Sequence, residues 1–406
     1  MKKLLSIIVL GLLLSGNGYA DENALLSFNQ YLKNNGYNEY FEEVEICKEL
    51  KKNSKKWFDA KCESYPKGRK ILRNKKHKIK FYNSSEIPEK ANPNDDTLTY
   101  YLWIYLNRNW NSHLKYSLIK ASENPYNFKY ELKEDKYIKK QMQKTALLSY
   151  LLYEDGKIVI DEIVPKEKYL GMFNNDTKYH SQSVGKSIST YILAHAVCKG
   201  YIENVNSRLN DWPLLENTLY YNQKILDLLN MSAGDKNYIR MNYYVNSNRK
   251  ILDQKKIRAS YLTIKMAMKN ELKNSIKSKK EHNYNGLLPP LILNYIIYKI
   301  GDEKFEELLN EIFTNKIRIE NSSFFATQEA ATYYDKSISN TLLASRYDYL
   351  RIAKAILDDW QNDTCEGKFL KNIYNNKVKK TPYRIKDLKN HRSLSKSHEY
   401  AGFFHL

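Results

Sequence analysis

The hydrophobic pattern of this 406-residue chain changes period near residue 145, and that change limits the possible folds more than any other feature. Ala146–Tyr153 (ALLSYLLY) is an apolar, strand-prone run. Asp155-Gly156 is a turn dipeptide, and Lys157–Glu162 (KIVIDE) reads as the returning strand of a hairpin. From Ser183 the period becomes helical, with Val184, Ile188, Tyr191, Ile192 and Ala196 on one face and Gly200 ending the run. Helical segments follow at Gln223–Met231, Leu287–Ile300, Lys304–Phe313 and Tyr347–Trp360. Tyr400–Leu406 closes the chain as a short β-like segment. Strands, then helices, then a returning strand predict an α+β domain over 145–406 rather than a series of βαβ units.

Residues 21–144 read differently. Leu25, Leu26, Phe28, Tyr31 and Leu32 form one helical patch, and Tyr40, Phe41, Val44, Cys47 and Leu50 form another. Asp96 is placed to cap a helix bearing Leu98, Tyr101, Leu102 and Tyr105. No chemistry-bearing motif stands out in this stretch, which is expected to be an accessory, mainly helical region.

The first twenty residues set the expected compartment. Met1-Lys2-Lys3 is a positive start, Leu4–Leu14 an apolar run, and Gly18-Tyr19-Ala20 places small residues where a cleavage site needs them. This is the pattern of a secretory signal peptide cleaved after Ala20, which implies a periplasmic or secreted protein. No later run reaches the roughly 18–20 apolar residues of a membrane span, so no span is expected in the mature chain.

The formal net charge of +20 first suggests nucleic acid as a partner. Only 12 of the 66 basic residues are Arg, however, and the lysines are spread along the chain. Nucleic-acid sites favour Arg for its bidentate contacts. With export, this argues for a solvated, codon-biased surface and against a nucleic-acid partner. Export also makes the four cysteines readable as two disulfides. A local Cys47–Cys62 bridge is the simplest pairing, leaving Cys198–Cys365 as a long-range staple; four buried free thiols are the alternative. No C-x-x-C, no H-E-x-x-H and no phosphate-binding glycine loop is present, so no metal or cofactor is expected.

Ser183-Val-Gly-Lys186 matches S-x-x-K, a weak motif in so lysine-rich a chain, since it recurs at Ser64, Ser112, Ser117, Ser247 and Ser393. Position distinguishes Ser183, which opens an apolar helix. Free N–H groups and the positive end of the helix dipole favour a developing oxyanion there and lower the pKa of a nearby lysine. Residues three apart share a helical face, so a desolvated Lys186 is placed to take the Ser183 proton. The competing reading is Ser183 as a simple helix cap beside an exposed lysine.

From Tyr153 to Gly234 the chain resembles the serine β-lactamase-related and penicillin-binding-protein superfamily, its class C branch in particular. The matching pieces are YEDGKIVIDE, SQSVGKS, and LDLLNMSAGD (Leu226–Asp235). Downstream, Tyr284-Asn285-Gly286 precedes LLPPLILNYIIYKIG, and Ala344–Trp360 (ASRYDYLRIAKAILDDW) is similar to a further family helix. The resemblance covers roughly residues 145–406. It implies a β-lactamase/transpeptidase-like fold, an antiparallel sheet with a helical domain. It implies Ser183 as the acylated nucleophile, Lys186 as its proton acceptor or the group tuning that acceptor, Tyr284 as a general base/acid sharing the proton with Lys186, and Asn285 as a substrate-binding group. Asn285 adjoins Tyr284, whereas the family places its Asn two residues on.

The superfamily's third motif, a Lys-Thr-Gly or Gly-rich strand completing the oxyanion hole, is not found; Lys396-Ser397-His398 is the nearest stretch. The resemblance therefore implies a domain lacking its C-terminal strands. Two functions follow from the residues. One is an exported serine hydrolase acting on an ester, amide, β-lactam or peptidoglycan-type substrate. The other is a catalytically incomplete envelope binding or structural protein on the same scaffold.

Overall fold

A computed structural model describes residues 114–144, 147–166, 173–239, 264–330, 333–380 and 398–406. The signal-peptide pattern, Cys47 and Cys62 lie outside the described residues, as does most of the accessory region. Packing divides the chain into two units, Met1–Ser112 with Phe128–Thr177, and His113–Asn127 with Lys178–Leu406.

The described part of the first unit is a small sheet and one helix. Strands β3 (Ser149–Glu154) and β4 (Lys157–Ile163) form the antiparallel hairpin expected around Asp155-Gly156. Both turn residues have positive φ, 47° and 79°, as a two-residue turn of this kind requires. Strand β2 (Lys129–Tyr130) adds to β4 in parallel. Helix α1 (Lys136–Lys144) begins at Asp135, whose carboxylate accepts the N–H groups of Tyr137 and Ile138, and it buries Ile138 and Met142.

The second unit is built on an antiparallel sheet of order β1-β6-β7-β5. Strands β6 (Ser323–Ala330) and β7 (Tyr333–Ala344) form its centre, and β1 (Leu114–Ile119) and β5 (Tyr179–His180) its edges. This corrects the sequence reading in two places. Residues 323–344 were expected to lie within the helical stretch, and 114–119 within a helical accessory region. Both are strands, because their partners are distant in sequence and local period does not reveal them.

Helix α2 (Val184–Cys198) runs through the core, with eleven of its fifteen residues buried. A helix buried on nearly every side must be apolar on nearly every side. Ile188, Tyr191, Ile192, Leu193, Ala194 and Ala196 meet that demand. Val184, expected on the buried face, is 57% exposed at the first helical position. Around α2 pack α4 (Leu288–Ile300), β7 and α7 (Cys365–Asn375). A short helix α3 (Ile225–Leu229), α5 (Asp302–Asn310) and α6 (Arg346–Gln361) complete the described helices longer than one turn, apart from a π-helical continuation of α5 over Glu311–Ile317 and another at Ala267–Glu271.

Tyr400–Leu406 was read as one β-like segment. It is a hairpin of β9 (Glu399–Ala401) and β10 (Phe404–His405), with β8 (Val378–Lys379) on its other side. The turn residues Gly402 and Phe403 both have positive φ, 56° and 64°. A bulky residue rarely adopts that conformation unaided. Here tertiary bonds hold it. The Phe403 carbonyl accepts the Ser187 hydroxyl and the Gly402 carbonyl accepts that of Thr190, while the Phe403 N–H donates to Leu229. The hairpin tip is thereby fixed to the first turns of α2.

Candidate active site at the start of helix α2

The approach to α2 is a tightly specified turn. Ser181 exchanges backbone and side-chain bonds with Leu342 of β7, its N–H donating to the Leu342 carbonyl and its Oγ accepting the Leu342 N–H. Gln182 follows with φ of +48°, and its N–H donates to Nδ1 of His180. That bond requires an unprotonated Nδ1, which gives His180 a structural task at the turn. Strained left-handed residues at such positions cost about 1–3 kcal/mol and persist where the surroundings over-determine them.

Gly185 explains how close the helix comes to the sheet. A Cβ there would lie 1.8 Å from the Asn340 carbonyl oxygen, so any side chain would force α2 off β7. Strand β7 bulges at the same place: the register passes from Phe325↔Leu342 to Thr327↔Ile338, leaving Ser339, Asn340 and Thr341 opposite Ala326 alone.

Ser183 is exposed at the N-terminal boundary of α2 and makes no capping bond. Among the described residues its N–H also has no acceptor. One turn on, Lys186 is 7% exposed, and its N–H donates to the Ser183 carbonyl at 3.1 Å. Among the described residues no carboxylate is paired with the Lys186 ammonium. The ammonium lies over the face of the Tyr284 ring, 5.5 Å from Nζ to the centroid. Burial without a counter-charge disfavours the ammonium and lowers the Lys186 pKa from its ordinary 10.5 to about 8. A fully solvated lysine beside a helix cap would show neither property.

Tyr284, 3% exposed, belongs to an aromatic cluster. Its ring lies 5.5 Å from that of His405 and 5.9 Å from that of Tyr400, and the Tyr400 ring is 4.8 Å from that of His282. The hairpin tip fixed to α2 therefore brings Tyr400 and His405 beside Tyr284. Sequence reasoning passed over both, since the signal is a positive-φ turn that only tertiary bonds reveal.

Asn285 is wholly buried and its amide is engaged within the fold. Its Oδ1 accepts the N–H groups of Leu287 and Leu288 ahead of α4, and its Nδ2 donates to Asp235 and to the Asn283 carbonyl. The sequence expected a substrate-binding group at this position. In the structure its amide closes the turn before a helix whose first residues include Pro289 and Pro290.

At the far end of α2, Cys198 and Cys365 form a disulfide with Cα atoms 5.8 Å apart. Beside it His195 Nδ1 lies 2.9 Å from Glu366, and Lys316 bridges Glu366 and Asp359.

No family model and no curated protein matches the chain. Solved structures similar to it include two hydrolase-named proteins. One is named "Putative 6-aminohexanoate-dimer hydrolase from Bacillus anthracis", with 16% identity over 68% of this chain and 74% of that one and a TM-score of 0.48. The other is a "putative beta-lactamase from Bacteroides dorei", with 16% identity over 56% of this chain and 63% of that one and a TM-score of 0.41. The chain thus spans less than two thirds of the second protein. Among the described residues, no helix is long and apolar enough to cross a membrane.

Proposed function

We propose that this chain is an exported serine hydrolase of the β-lactamase-related kind, forming an acyl-enzyme on Ser183. One observation carries the reading: a buried, uncompensated lysine stands one helical turn from an exposed, uncapped serine at a helix N-terminus. Neutral Lys186 accepts the Ser183 hydroxyl proton as Oγ attacks the substrate carbonyl carbon. The Ser183 N–H donates to the oxyanion of the tetrahedral intermediate. The leaving group departs with a proton relayed by Lys186 and Tyr284, and water then cleaves the acyl–Ser183 bond. Substrates of this chemistry are esters, amides, β-lactams and peptidoglycan-type stems. The residue set requires no metal or cofactor.

A second reading has a specific observation in its favour. The Asn285 amide is engaged within the fold, which suits a binding or structural envelope protein on the same scaffold. Intact-mass labelling separates the two. A fluorophosphonate and a penicillin are offered to the wild type and to Ser183→Ala. Under the hydrolase reading the wild type gains one adduct with at least one probe and the variant gains none. A folded wild type without an adduct selects the second reading.

A further inference from the structure

Behind Tyr284 sits a buried carboxylate that the proposed chemistry does not use. Asp235 is fully buried, and burial holds its carboxyl above the usual carboxylate range. Among the described residues no lysine or arginine pairs with it, and the partners found there are three neutral donors. The Tyr220 hydroxyl donates to Oδ2 at 2.7 Å, the Asn283 amide to Oδ1 at 2.7 Å and the Asn285 amide to Oδ2 at 3.0 Å. Asn283 and Asn285 are the immediate neighbours of Tyr284 on either side.

The same contact is reinforced through the backbone. The Asn283 N–H donates to the Met231 carbonyl at 2.7 Å, and Met231 itself has φ of +50°. Gly234, with φ of +75°, lets the turn lie against Ser278, where an added Cβ would come within 2.6 Å of the Ser278 carbonyl oxygen. The Ser278 N–H and hydroxyl both donate to the Gly234 carbonyl. The segment Met231–Asp235 is therefore a rigid cradle, and the strand of chain carrying Tyr284 is pinned to it at both flanks.

We infer that Asp235 is a positioning residue for Tyr284, clamping Asn283 and Asn285 so that the Tyr284 ring is held over the Lys186 ammonium. The inference rests on the reading of Tyr284 as the proton carrier for Ser183. Two acceptor oxygens serving three donors are what the clamp needs. An asparagine offers one acceptor and loses at least one bond, and an alanine loses all three. A carboxylate kept for general stability alone would loosen the whole unit when removed. A clamp loosens its own segment first.

The test uses the full chain as Asp235→Asn and Asp235→Ala, read by hydrogen exchange and by Ser183 labelling. Amide exchange in the peptide spanning residues 282–288 is expected to accelerate at least tenfold in Asp235→Ala and less in Asp235→Asn. Peptides from α6 and α7 should stay as in the wild type. The rate of Ser183 acylation by the fluorophosphonate, normalised to folded protein, is expected to fall about 10–100-fold in the same order. Wild-type exchange at 282–288 in Asp235→Ala overturns the inference, as does acceleration spread equally over α6 and α7. So does local loosening with an unchanged acylation rate. Failure of the wild type to label removes the hydrolase reading and this inference with it. A labelled wild type beside unaltered variants removes only the inference. Should Asp235→Ala fail to fold, Asp235→Asn carries the same two measurements.

Discussion

The two ends of helix α2, about 22 Å apart at 1.5 Å per residue, handle buried charge in opposite ways. At the C-terminal end every described charge has a partner. Glu366 lies 2.9 Å from His195 and 3.2 Å from Lys316, and Lys316 also reaches Asp359. The Asp359 carboxylate takes the Tyr191 and Thr364 hydroxyls as well. The His195 bond, with Lys316 nearby, holds the Glu366 carboxyl well below the ordinary carboxylate range. The disulfide closes this end covalently. At the N-terminal end one ammonium is buried and, among the described residues, meets a ring face rather than a carboxylate. Compensated charge is what a fold uses to fix an arrangement. An uncompensated lysine destabilises the fold and gains reactivity, which is the trade expected where function opposes stability.

The strongest way to break this comparison is to replace the uncompensated charge. Lys186→Met removes the proton acceptor while keeping an unbranched, apolar chain of similar length. Acylation of Ser183 is expected to fall about 10²–10⁴-fold. In the wild type the same rate should rise with pH through an apparent pKa near the about 8 of Lys186. The stability effect has the opposite sign. Because the folded Lys186 pKa lies below its ordinary 10.5, the folded state binds fewer protons than the unfolded one between about pH 8 and pH 10.5. Wild-type stability therefore rises through that window, and the full penalty is present below it. Lys186→Met is expected to be more stable than the wild type by about 3 kcal/mol at pH 7, with the gain vanishing above about pH 10.5. Urea unfolding across that range measures it. A variant less stable than the wild type at pH 7 would show that the ammonium has a stabilising partner.

At the other end the covalent link is the largest single contributor to test. Cys198→Ser with Cys365→Ser opens a closure between residues 167 apart in sequence. The expected loss is ~2–4 kcal/mol, read by denaturant unfolding. The acylation rate per folded molecule should stay within about twofold, since neither cysteine lies in the chemistry. A proportional fall in acylation would mean that the two ends of α2 are coupled, and the contrast between them would fail.

How much of this was legible beforehand depends on how local each signal is. Ser183 and Lys186 are three residues apart at a helix start, and both the spacing and the apolar run that buries Lys186 are visible in one short stretch. The β3–β4 hairpin is equally local, its turn announced by Asp155-Gly156. Strands β6 and β7 were not legible, because their polar-rich alternation becomes a sheet centre only when β1 and β5 arrive from more than 140 residues upstream. The Gly402-Phe403 turn was hidden for a related reason: nothing in a phenylalanine announces positive φ, and the bonds that hold it come from Ser187 and Thr190. Asn285 is the instructive case, since Asn-Gly ahead of Leu-Leu-Pro-Pro is itself a helix-start signal. The N–H groups of Leu287 and Leu288 at that helix start call for an acceptor, and the Asn285 side chain supplies it. Asp235 lay inside a quoted segment, LDLLNMSAGD, yet its partners are separated from it by 15, 48 and 50 residues.

The smallest test isolates one bond of the compensated end. Tyr191→Phe deletes the hydroxyl that donates to Asp359 at 2.5 Å and keeps the ring. The ring's packing against His195 and its contact with the Lys316 ammonium, 5.9 Å away, are retained. Asp359 keeps Lys316 and the Thr364 hydroxyl, so the carboxylate is left short of one donor rather than stranded. A buried hydrogen bond to a charged group contributes about 1.5–3 kcal/mol. With the remaining partners in place the expected loss is toward the lower figure, read as a fall in the melting temperature of a few degrees. Acylation of Ser183 at 25 °C should not change. At the uncompensated end the removal of one group changes chemistry and improves stability; at this end it lowers stability and leaves chemistry alone. A Tyr191→Phe protein that melts like the wild type would show Asp359 fully served by Lys316 and Thr364, making the C-terminal cluster redundant where the N-terminal lysine is not.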